Sequence, residues 1–174
     1  MLLDRLRGGT RQTLGNSKAV ARLVLAHPEL LPELLEAFES QDRVLISRAV
    51  DALEIVASSQ PSLIYPYKRL VLDLLARFEY WEVREHVCLM LPLLPLNAEE
   101  RREAFDMVRQ WLSSRSSIVR TFSLQTMYDL AQADPSLLDE ATLHLEHALS
   151  NGTPAMRARA RILLGVQRPA KVTR

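Results

Sequence analysis

The chain has 174 residues, of which 48% are hydrophobic and 25% charged, and its formal net charge is +1. That length and apolar content suffice for a domain with a real core and exclude an intrinsically disordered chain. The longest apolar runs, at 64–67 and 89–96, fall far short of the roughly 20 residues that cross a bilayer, so no membrane segment is expected.

The opening Met1-Leu2-Leu3-Asp4-Arg5-Leu6-Arg7 lacks the continuous apolar stretch of a secretory signal, which predicts a cytoplasmic protein. Residues 1–16 contain Gly8, Gly9 and Gly15 and read as a loose basic N-terminal segment. A short helical pair is predicted at 17–27 and 30–40, and full pairs at 42–58 with 62–79, 81–94 with 97–113, and 117–132 with 135–150. A last helix near 154–165 would cover the final apolar face, and 166–174 form a basic tail. Between Leu45 and Val56, and between Val83 and Leu94, apolar residues recur with the 3.6-residue period of one buried helix face. Period-two alternation, the signature of strands, is not sustained anywhere.

Local signals punctuate these elements. Asn97 with Glu100 forms a capping-box pattern, while Asp134-Pro135 and Thr153-Pro154 place a capping side chain before a proline. Asn151-Gly152 is expected to end its helix in the left-handed region. Pro61 and Pro66 mark an entry, and Pro92 and Pro95 end or kink the helix that starts near Trp81. Cys88, the single cysteine, precludes an internal disulfide and reads as a buried thiol.

One unit recurs. Asp42-Arg43-Val44, Trp81-Glu82-Val83-Arg84, Ser117-Ile118-Val119-Arg120 and Pro154-Ala155-Met156-Arg157 each open an apolar helical stretch. The steps between Val44, Val83, Val119 and Met156 are 39, 36 and 37 residues, a period that implies stacked helical hairpins. Over residues 17–165 these units resemble HEAT-like repeats of the armadillo-type α-solenoid family. The features that carry the resemblance are the Val-Arg step and second helices that end in apolar residues, such as Leu35 and Phe38 or Trp111 and Leu112. The resemblance implies an all-α, right-handed α-α superhelix of about four HEAT-like hairpins plus a capping helix. It also implies a concave face lined by the second helix of each pair, which here presents Lys68, Arg69, Asp73 and Arg77, then Arg102, Asp106, Arg109 and Gln110, then Asp139, His144 and His147.

No glycine spacing matches a phosphate-binding loop, and there is no nucleophile elbow. Glu140, His144 and His147 share a helix face but span about 10 Å, too far for one ion, and read as solvated surface. His86 and Cys88 are two apart and point away from each other on a helix. No catalytic residue, metal or cofactor is predicted. Charge is uneven: 1–22 carry +4, 23–152 carry −9 and 153–174 carry +6. Arg157, Arg161, Arg168 and Lys171 could neutralise phosphates, but the acidic middle would repel a duplex lying along the face. Half of the aromatics fall between Tyr65 and Trp81, beside Arg84, and large amphipathic rings next to charge suit an interface.

The sequence thus predicts a non-catalytic protein-binding scaffold or adaptor. Its contact residues would be Tyr80, Trp81, Arg84, Lys68, Arg69, Arg77, Arg102 and Arg109. The alternatives, implied by what HEAT-like proteins do, are a nucleic-acid-associated protein such as a DNA glycosylase for alkylated bases, or a chromophore-lyase-like protein.

Overall fold

Helices begin where a capping side chain meets an apolar run. In the computed structural model, which describes residues 1–7 and 15–165, the Asp42 carboxylate accepts from the Val44 and Leu45 amides to start α3. Asn97 and Glu100 form the predicted capping box at the start of α6. Ser116 caps α7, and Thr153 caps α9 with Pro154 behind it. Each such cap is worth about 1 kcal/mol because it satisfies amides the helix leaves without partners.

The described residues are all-α: nine α-helices joined by 3-10 turns, with no strand. The helices are α1 (Ser17–Ala26), α2 (Leu31–Leu35), α3 (Arg43–Ser59), α4 (Lys68–Arg77), α5 (Trp81–Met90), α6 (Ala98–Gln110), α7 (Ser117–Ala133), α8 (Leu138–Asn151) and α9 (Pro154–Leu163). They match the predicted order. The second helices, however, enter through 3-10 turns at Pro28–Leu30, Pro61–Leu63 and Pro135–Leu137, where proline supplies φ but no amide. None is long and apolar enough to cross a membrane.

The chain groups into two compact units, Met1–Leu96 and the residues from Asn97 on, a boundary that falls inside the third predicted hairpin. In the first unit α3 packs on both α1 and α5, so it is buried on two sides and contributes Leu45, Ile46, Ala49, Val50, Leu53 and Val56 to the core. In the second unit α7 packs on α6, α8 and α9, and Leu124, Leu145, Ala148, Met156 and Ala160 form a shared core. Second helices bury less; α6 contributes Ala104, Phe105 and Val108. At roughly 1.5–3 kcal/mol for each large apolar side chain, these cores outweigh any exposed ion pair.

Two expectations are corrected. Residues 1–7 are not loose. Leu2 and Leu6 are buried, the Leu2 amide donates to Glu33, and Arg48 donates to the Leu6 carbonyl at 2.8 Å. Leu2 and Leu6 stand one turn apart, so a short 3-10 turn puts both into the core. Residues 8–14 lie outside the described residues; Asn16 donates from Nδ2 to the Arg5 carbonyl at 3.1 Å, and at Gly15 the φ of +53° and the proximity of the Arg48 guanidinium both call for glycine. Gly152 is not left-handed but extended, with φ −75° and ψ 170°. Its lack of a side chain serves packing: a Cβ there would lie 2.9 Å from the Met156 Cβ and against the Ala148 carbonyl.

Candidate functional site

Most of the cations proposed for partner contact already have intramolecular partners. Arg77 makes two hydrogen bonds to Glu39, at 2.7 and 3.2 Å, which hold the Glu39 carboxyl below its ordinary pKa. Arg69 pairs with Asp73 at 2.9 Å, and the Lys68 ammonium donates to the Pro95 carbonyl at 3.4 Å. Arg102 bridges Asp106 and Glu140, and Arg109 bridges the same two carboxylates at 3.2 Å each, tying α6 to α8. These pairs are exposed and screened by solvent, so each adds little to stability. Their spacing is more telling: Glu39–Arg77 and Arg102–Glu140 both join residues 38 apart, one repeat.

The aromatic cluster is partly packing. The Arg43 guanidinium lies 4.4 Å over the Tyr80 ring, Phe78 and Tyr80 stack at 5.8 Å, and Arg84 donates from Nε to the Phe78 carbonyl at 3.3 Å. Trp81 remains 40% exposed. Arg157 and Arg161 are half-buried on α9, whereas Arg168 and Lys171 lie outside the described residues.

An open groove of about 870 Å³ runs over the second unit. Leu112, Leu124, Ala148 and Met156 line its apolar part, and Leu143, 64% exposed, also borders it. Arg109, Arg120, His144 and His147 supply its polar lining. Burial pushes the His144 imidazole below its ordinary pKa, against the pull of Glu140 and with the help of Arg109 and His147, so it is neutral near pH 7. Arg109 is spent on carboxylates. Arg120 is different: its Nε is buried without a hydrogen-bond partner, and no carboxylate among the described residues pairs with its side chain.

A second polar feature lies inside the first unit, between α3 and α5. Arg43 pairs with buried Glu82 at 2.8 Å at one end. Further along, His86 places Nε2 3.8 Å from an Asp51 oxygen and Nδ1 3.8 Å from a Glu54 oxygen. Those separations are too long for hydrogen bonds. Asp51 Oδ2, His86 Nδ1 and Ser47 Oγ are all buried without a partner. Glu54 accepts from the Ser58 hydroxyl at 2.6 Å. Its carboxyl lies below the ordinary value, held there first by the adjacent imidazole and then by Ser58, against burial. Glu85 is pushed the other way, by burial and by the nearby carboxylates of Asp51, Glu82 and Glu54, although His86 opposes them.

The sequence did not bring these residues together. It read His86 against Cys88 rather than against Asp51 and Glu54, which are 35 and 32 residues earlier. The available signal was modest: Asp51 and Glu54 are three apart on one helix face, and the repeat step places His86 opposite them. Comparison with known proteins gives no match: no family model, characterised protein or solved structure is significantly similar to the chain.

Proposed function

We propose that the protein is a non-catalytic protein-binding module of HEAT-like repeats, and that the groove of its second unit receives a partner segment carrying an apolar side chain beside a carboxylate. One observation carries the reading: Arg120, a half-buried cation with no partner at Nε, lines a groove that also presents the apolar side chains of Leu112, Leu124, Leu143, Ala148 and Met156. A buried guanidinium without an acceptor is costly, and a carboxylate meets it with two parallel hydrogen bonds. Leu112, Leu124 and Met156 offer the apolar contact that accompanies such an anchor in protein interfaces. Polyanions suit this region less well, because Arg102 and Arg109 are already bound to Asp106 and Glu140.

Selection from a random-peptide display library with the full chain as bait tests this. Enriched peptides should combine an apolar anchor with Asp or Glu, and Arg120→Ala should weaken their binding about tenfold or more. Enrichment of no such motif, or indifference to Arg120→Ala, overturns the reading. Duplex DNA binding that falls steeply with added salt would put the nucleic-acid alternative in its place.

A further inference from the structure

We propose that Asp51, Glu54 and His86 bind one divalent transition-metal ion, such as zinc, between α3 and α5. The site lies in the first unit and is independent of the groove. One imidazole nitrogen and one oxygen from each carboxylate lie within 4.8 Å of one another. A zinc ion with bonds of about 2.1 Å holds tetrahedral ligands about 3.4 Å apart, so side-chain rotations of about 1 Å complete the set. A 3.8 Å gap between one imidazole nitrogen and one carboxylate oxygen corresponds to ligands subtending roughly 130° at an ion with such bonds; the two gaps lie on different ring nitrogens, so a single ion fills one of them and the other carboxylate reaches it by rotation.

Three observations separate this cluster from an ordinary group of acids. Asp51 is only 7% exposed, and its Oδ2 has no hydrogen-bond partner. A carboxylate oxygen buried in that state is strongly disfavoured unless a cation or donor reaches it. His86 Nδ1 is likewise buried and without a partner. An imidazolium bridging the two carboxylates would bring its N–H groups to hydrogen-bonding distance; at 3.8 Å from the nearest carboxylate oxygen, neither ring nitrogen is so bonded.

The donor set defines the class of ion. One imidazole with two carboxylates suits zinc or another first-row divalent metal better than calcium or magnesium, which favour all-oxygen sites. The Ser58 hydroxyl holds Oε1 of Glu54 and leaves Oε2 on the His86 side, the kind of outer contact that orients a metal ligand. Three protein ligands leave a fourth position for solvent.

Zinc titration into the chelator-treated full chain, followed with a competing chromophoric chelator, tests the site. One zinc per chain should bind, and Asp51→Asn and His86→Gln should each weaken it about tenfold or more. The double variant His144→Ala/His147→Ala should leave binding unchanged. X-ray absorption of the zinc-loaded protein should show nitrogen and oxygen neighbours at about 2.0–2.1 Å and no sulfur at about 2.3 Å, which excludes Cys88. If circular dichroism shows Asp51→Asn to be unfolded, Glu54→Gln, a substitution at a less buried residue, takes its place. No stoichiometric binding at roughly 100 μM zinc, binding that survives these substitutions, or a sulfur shell overturns the proposal.

Discussion

The contact between α3 and α5 in the first unit and that between α7 and α9 in the second occupy the same place in the repeat and solve one electrostatic problem differently. Counting from Val44 and Val119, Glu54 and Asp129 both stand ten residues on; counting from Val83 and Met156, His86 and Arg159 both stand three residues on. In the second unit Arg159 donates to Gln125 at 3.0 Å, Gln125 donates to Asp129 at 2.8 Å, and the guanidinium also favours the ionised Asp129. Acid, amide and permanent cation form one chain of contacts. In the first unit an imidazole stands at that position, faced by two carboxylates instead of one, and hydrogen bonds give way to gaps of 3.8 Å. A repeat position that carries its own charge is a closed structural contact. The same position with histidine and a second acid is open to an external cation.

Substitutions can break or sharpen that contrast. The largest effect is expected from Glu82→Ala, which leaves Arg43 in the seam without its buried carboxylate while the Arg43 Nε already lacks a partner. It should cost about 3 kcal/mol in urea unfolding; an unchanged midpoint would mean that the ion pair contributes nothing to the α3–α5 contact. Converting one seam into the other gives a smaller, opposite change. His86→Arg places a permanent cation opposite Asp51 and Glu54, as Arg159 lies opposite Asp129. It should raise the metal-free Tm by ~2–4 °C and abolish zinc binding; a lowered Tm would show that the two positions are not interchangeable.

The smallest effect is expected at Asp129, whose carboxyl is pushed above its ordinary pKa by burial, although Gln125 and Arg159 oppose the shift. A raised folded-state value means that the ionised carboxylate costs stability. The cost is absent below the unfolded pKa, near 3.9, grows as pH rises through the folded value and is constant above it. Asp129→Asn should therefore stabilise the protein at pH 7, by less than ~1 kcal/mol since the group is half-exposed, and have no effect near pH 3. Thermal melts at the two pH values check this; destabilisation at pH 7 would mean that the link to Arg159 outweighs burial.

Much of the fold was readable because its signals are local. Apolar residues one turn apart in α3 and α5, the capping box of Asn97 and Glu100, and the Thr153 cap all act over three or four residues, and all appear where expected. Gly152 misled because a glycine after a helix usually marks a left-handed end, whereas here the close approach of Met156 demands it. Leu2 and Leu6 misled because two apolar residues in a charged, glycine-flanked segment resemble a frayed end until a core is there to receive them. The predicted contact residues were legible as charges and rings, but not as charges and rings already in use: Arg77 meets Glu39, and Arg43 meets Tyr80, only when successive repeats lie side by side.

By itself the sequence determined the helices, their order and the period of 36 to 39 residues, since helical periodicity and end-capping are contained within a few consecutive positions. The tertiary structure alone decided which polar groups were satisfied within the chain and which were not. Asp51, Glu54 and His86 meet because α3 and α5 pack together, and the Arg120 Nε is buried without a hydrogen-bond partner. Such pairings depend on residues more than thirty positions apart, and a hydrophobic pattern fixes which face of a helix is buried without fixing which polar neighbour it meets there.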